Sequence, residues 1–205
     1  MSQGRRDSFI KYCGAALQLG GVLLILVNTL LTPMMTAIQD EAAMRTSDVY
    51  LLRLSLAWLT ALFLLFGCIG VYLSQRATAG VFGTLAFVTA FVGNCLLLSI
   101  EWSNVFVLRA VAQSAPQALE ALDSTQLLNI GFVSGAAVFA LGWLLLAISV
   151  LVSRLLSRWG AIAIISGMLL VPVLAPVMGT AGMIAANWVL GIGYILLGRS
   201  VATES

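Results

Sequence analysis

Six stretches of this chain are predominantly apolar over 18 residues or more: Ile10–Leu31, Tyr50–Leu73, Ala79–Glu101, Leu127–Val152, Gly160–Met178 and Thr180–Leu197. A helix rises about 1.5 Å per residue, so roughly 20 residues cross the ~30 Å hydrocarbon layer of a bilayer. Of the 205 residues, 61% are hydrophobic and only 9% charged, with a mean hydropathy of +1.07. A soluble domain carries about 25% charged residues, so water cannot be the main solvent of this chain. The expected fold class is all-α: an integral membrane bundle of six transmembrane helices with one short outer-surface helix. Residues 1–205 form a single transmembrane domain, because no connection is long enough to hold another.

Charge orients the set. With the N-terminus inside, Arg5, Arg6, Lys11, Arg76, Arg154, Arg158 and Arg199 fall on the cytoplasmic side, and only Arg45, Arg53 and Arg109 fall outside. Basic residues favour the cytoplasmic loops, so both termini are expected there. The first span follows a basic segment but lacks a small-residue cleavage pattern before Pro33, and reads as a retained helix rather than a signal peptide.

Several function classes are disfavoured at this level. Histidine is absent, which removes the commonest general base and metal ligand. There is no HExxH, P-loop or GxGxxG sequence, and no basic run suited to a nucleic acid. No cofactor is expected. Cys13, Cys68 and Cys95 form no CxxC pair. Cys68 and Cys95 differ in expected depth by roughly 16 Å, beyond disulfide reach. The tyrosines Tyr12, Tyr50, Tyr72 and Tyr194 lie toward span ends, as interfacial belt residues do.

Without a hydrophobic force between helices in lipid, packing relies on small residues. Gly131 and Gly135 form a GxxxG, and Ala16/Gly20 and Gly182/Ala186 are weaker versions. These are expected to pack within the bundle, with homo-oligomerisation as the alternative. Pro172 and Pro176 each remove a backbone donor, which predicts a kink or break in the outer half of the fifth span. In the long connection 102–126, Ser114-Ala115-Pro116-Gln117 has the form of a capping box, predicting a short helix over 117–122. The apolar Val105-Phe106-Val107-Leu108 is expected to lie on the membrane surface or over the bundle mouth.

Intramembrane polar residues are costly and mark candidate sites. Asn28, Arg53, Asn94, Glu101 and Asn129 fall in one outer-leaflet layer, with Trp58 and Trp102 near the same level. Asn94 and Glu101 are two turns apart and share a face, as do Arg53, Ala57 and Thr60. Two readings follow from this layer. In one it lines an outward pocket with Arg53 and Glu101 as polar handles. In the other it is an interfacial ion pair, with asparagines tying helices together and tryptophans forming an aromatic belt.

The stretch Leu141-Gly142-Trp143-Leu144-Leu145, then Ser153-Arg154-Leu155-Leu156-Ser157-Arg158-Trp159, then Ser166-Gly167 resembles a group of uncharacterised bacterial multi-pass membrane proteins of similar length. In that group a leucine-glycine helix runs into a short basic turn before the next apolar helix; here Ser157 stands where proline is usual. The resemblance implies a bacterial cytoplasmic membrane and six helices, and carries no activity. The function expected is non-enzymatic binding of a lipid, a small amphipathic molecule or a larger membrane complex. The partners would be membrane lipids and, with them, partner membrane subunits or further copies of the chain, with no nucleic acid. A facilitator built as an inverted 3+3 pair and a membrane enzyme acting on a lipid-soluble substrate are the alternatives.

Overall fold

The computed structural model describes residues 3–119 and 125–203, and every regular element among them is helical. Helix α1 (Gln3–Leu26) passes through a π-helical segment, Val27–Leu31, into α2 (Thr32–Thr36). A short α3 (Glu41–Thr46) precedes α4 (Asp48–Gln75), and α5 (Gly80–Trp102) continues through a second π segment, Ser103–Leu108, into α6 (Arg109–Ser114). The long α7 (Gln126–Ser153) and α8 (Arg158–Thr203) complete the chain. Five of these helical stretches are long and apolar enough to cross a membrane.

The fifth, α8, is 46 residues long and is not straight. Gly179 has φ 57° and ψ −137°, a conformation open to glycine alone, while Pro172 and Pro176 remain within helix. The break expected at the prolines therefore falls at Gly179. The two arms fold back antiparallel. A Cβ on Gly160 would lie 2.7 Å from Leu197 N, on Gly167 2.8 Å from Leu190 N, and on Gly193 2.8 Å from Ile164 N.

Glycine contacts build the remaining walls as well. Gly67 and Gly70 of α4 admit Leu17 and Cys13 of α1, and Gly93 of α5 admits the backbone of Phe139 on α7. Gly142 of α7 sits on Ala90 of α5. On the other side of α1, Gly14 meets Gly198 and Gly21 meets Gly191. Both chain ends thus lie at one end of the bundle, the terminal end. The connections 37–47 and 103–119, together with Gly179, lie at the other, the loop end.

The interior is filled unevenly. In the terminal half, Leu17, Leu64, Trp143, Leu146, Tyr194 and Leu197 are all buried in one apolar cluster. Trp143 and Tyr194 meet edge-on with centroids 4.7 Å apart. Tyr194 is therefore a core residue, not a belt residue, because its helix runs on to Thr203 instead of ending near Leu197. At the loop end a smaller cluster of Tyr50, Leu54 and Val105, with Met35 and Met44, makes a roof. It is pinned by Arg109, which donates from Nη1 to Ser47 O at 2.7 Å and lies 3.9 Å from Asp48 Oδ1.

Of the two places expected for it, Val105–Leu108 takes the one over the bundle mouth, with Val105 in the roof. It extends α5 by π-helical turns, and Val105 and Leu108 are buried. Ser114 ends α6, its hydroxyl donating back to Ala110 O at 2.7 Å, and does not cap a following helix. Residues 117–119 are helical as expected, and the rest of the 117–122 segment lies outside the described residues. The three cysteines are free.

Candidate functional site

Between the packed terminal half and the roof lies a cavity of about 430 Å³, within the range of pockets that hold one small molecule. Every long helix contributes to its wall. Leu24, Leu64, Leu97, Phe139, Met168 and Leu190 supply the apolar surface, and Asn28, Arg53, Thr60, Glu101, Asn187 and Tyr194 the polar groups. Eleven residues of α4 separate Arg53 from Leu64, so the cavity reaches about 16 Å along the bundle axis.

The charged groups gather at its loop end. Arg53 donates from Nε to Thr32 Oγ1 at 3.1 Å, and its terminal nitrogens make no hydrogen bond or ion pair with a described residue. Thr32 in turn lies 3.4 Å from Asn28 Oδ1, and Asn28 donates from Nδ2 to Leu24 O at 2.9 Å. Glu101 Oε2 is buried and has no partner. Arg53 and Glu101 line the same cavity without an ion-pair contact between them.

Local backbone chemistry explains these positions. Pro33 cannot donate to the preceding turn, and the helix widens before it, with Thr32 N bonded to Val27 O. The second π segment begins two residues after Glu101. Such segments recur at functional sites because they rotate side chains out of the regular helical register. Pro172 and Pro176 remove the donors that would serve the carbonyls of Met168 and Pro172, both on the cavity wall.

Of the residues expected in the polar layer, Asn28, Arg53 and Glu101 share the cavity, and Arg53, Ala57 and Thr60 do lie on one face. Asn94, Asn129, Trp58 and Trp102 do not line it. Asn94 is fully buried, donates from Nδ2 to Ala90 O at 2.7 Å, and leaves Oδ1 unpaired. Asn129 is exposed beside Ile130 and Val133. Trp58 is half-buried, and Trp102 is exposed against Phe106 with centroids 5.5 Å apart.

Thr32 and Tyr194 were not expected at the site, while Asn187, readable from its depth as either a helix tie or a ligand contact, lines the cavity. Thr32 was readable as one helical turn from Asn28, whereas Tyr194 gave no signal short of the true length of α8. Among the described residues, no three of His, Cys, Asp or Glu gather in a way that could hold a metal ion.

The fold and cavity define a class: an all-helical protein of apolar, membrane-type helices enclosing an amphipathic pocket at one end. Compared with known proteins, the chain matches no family model, no curated protein and no solved structure.

Proposed function

We propose that the chain is a six-crossing protein of a bacterial cytoplasmic membrane, with both ends cytoplasmic, that binds one amphipathic molecule in the outward half of the bundle. Two arms of α8 hinged at Gly179 supply the fifth and sixth crossings. Seven of the ten basic residues fall at the terminal end, in keeping with a cytoplasmic position for it. The carrying observation is a largely apolar cavity whose one polar end holds Arg53 and the unpartnered Glu101 Oε2. A buried polar oxygen without a hydrogen-bond partner costs about 1–3 kcal/mol, and a guest is the simplest group to offset that.

Conduction is less well supported. A facilitator needs a polar path through both halves, and here Trp143, Leu146, Leu17 and Leu197 fill the terminal half. Catalysis draws less support, since among the described residues no second carboxylate lines the cavity beside Glu101. Docking of a partner membrane helix draws some support from α7, whose face with Asn129, Ile130, Val133 and Ser134 is largely exposed.

Protein extracted from native membranes and imaged at side-chain resolution tests the binding reading. Elongated density with its polar end at Arg53 and Glu101 is expected; a cavity holding only water, or closed by side chains, defeats it. Fluorescent-protein fusions at either terminus test the topology, since they mature only in the cytoplasm.

A further inference from the structure

The cavity has a side as well as an end. At the loop half of the bundle, Ala136 of α7 and Pro172 of the first α8 arm both line the cavity and are both exposed. Their helix neighbours Val133 and Val173 are 62% and 59% exposed. In the terminal half the same two helices close against each other, with Trp143, Leu146, Ala161 and Ile164 buried. The bundle is thus sealed below by its core, capped by the Tyr50/Leu54/Val105 cluster, and open between α7 and α8 at the depth of the hydrocarbon. A molecule reaching this cavity by that route comes from the lipid, not from water.

The polar end then constrains the guest. Arg53 has terminal donors to offer, Glu101 has an acceptor to offer, and among the described residues no hydrogen bond or ion-pair contact joins the two. An anionic head would meet Arg53 and add repulsion at Glu101. A purely cationic head would do the reverse. Charge-assisted hydrogen bonds are the strong ones, and a head carrying both signs a few bonds apart makes both at once.

Resting on the binding reading above, we infer that the cavity takes a zwitterionic phospholipid of the aminoalkyl-phosphate kind, entering sideways between α7 and α8. Its phosphate faces Arg53, its primary ammonium faces Glu101, and one hydrocarbon chain lies along Leu97, Phe139, Met168 and Leu190. The second chain stays in the bilayer through the Ala136/Pro172 opening. The binding is reversible and involves no covalent step.

The test uses the full-length protein, delipidated in detergent and titrated by native mass spectrometry with three probes. These are phosphatidylethanolamine, phosphatidylglycerol of the same chains, and soluble O-phosphoethanolamine. Phosphatidylethanolamine is expected to bind about tenfold more tightly than phosphatidylglycerol, the ratio that one charge-assisted contact supplies. Glu101→Gln should abolish the preference, and Ala136→Trp should weaken both lipids while Gly131→Trp, on the open face of the same helix, leaves them bound. Soluble O-phosphoethanolamine should not compete.

Equal binding of the two lipids, or a preference that survives Glu101→Gln, overturns the head-group assignment. If Ala136→Trp still displaces both, the cavity reading stands. Competition by the soluble head overturns sideways entry. Lipid binding that Ala136→Trp does not touch overturns the cavity reading too. Should Glu101→Gln fail to fold, the comparison of lipids on the unaltered protein decides the head group alone.

Discussion

Gly21 of α1 and Gly191 of α8 face each other so closely that a Cβ on Gly21 would lie 2.6 Å from Gly191 O, and one on Gly191 2.8 Å from Gly21 O. Seven residues away on each helix, Gly14 and Gly198 repeat the arrangement, with a Cβ on either 2.6–2.7 Å from the other's carbonyl oxygen. This pair of contacts joins the first helix to the last. Where dispersion and close backbone approach replace the hydrophobic effect, the space left by these missing side chains holds the bundle closed.

Gly21→Val and Gly191→Val should therefore each destabilise the protein by about 1–3 kcal/mol, the usual cost of overpacking. Gly131 is the internal control. No atom lies within 4 Å of a Cβ built on it, so Gly131→Ala should be neutral or stabilising by up to about 1 kcal/mol through helix propensity. Unfolding in mixed micelles measures all three. Equal effects at Gly21 and Gly131 would contradict the packing described.

Gly179→Ala places a side chain at φ 57°, ψ −137°. Strain of about 1–3 kcal/mol is expected, felt at the α8 hairpin. Hydrogen exchange should rise first around Leu174 and Gly182, which touch across the hinge. Unchanged protection there would show that the hinge tolerates another conformation.

Arg109→Ala removes the donor to Ser47 O at 2.7 Å and to Arg45 O at 3.4 Å. A hydrogen bond from a charged group contributes about 1.5–3 kcal/mol, and the loss should appear as faster proteolysis of the roof with little change in the terminal half. Asp48→Asn should do far less, since Asp48 is fully exposed at the far side of a 3.9 Å contact. If Asp48→Asn matches Arg109→Ala, the ion pair and not the backbone contacts pins the roof.

A double-mutant cycle separates the partners of Arg53. Thr32→Val and Arg53→Met should couple by about 0.5–1.5 kcal/mol, because their side chains are hydrogen-bonded at 3.1 Å. Arg53→Met and Glu101→Gln, not in contact without a guest, should couple more weakly in delipidated protein. The reverse order would mean that the two ions form a direct pair.

Much of the long-helix layout was legible from run length alone. The expected spans 50–73 and 127–152 sit within α4 and α7 to about two residues at each end. Hydrocarbon length sets a minimum for an apolar run and nothing about where the helix stops, so α5 continued past Glu101 through a half-buried π segment to Ser114. The same blindness put Tyr194 near an interface when it belongs to the core. The cost of intramembrane polarity singled out Asn28, Arg53 and Glu101, which all line the cavity. It also singled out Asn94 and Asn129, which do not line it, since depth along a helix says nothing about which way a side chain turns.

From the sequence came the helical class, the approximate helix positions and the level at which polar groups collect. Each follows from one-dimensional quantities: the length of apolar runs and the distance of a residue from their ends. Tertiary structure decided that the glycines of α1 and α8 interlock, that the terminal half is solid, and that Arg53 and Glu101 share one hollow with Thr32 and Tyr194. Those outcomes depend on the rotation of each helix about its axis, which is set by contacts between segments as far apart in the chain as Gly14 and Ala202. No local pattern encodes them.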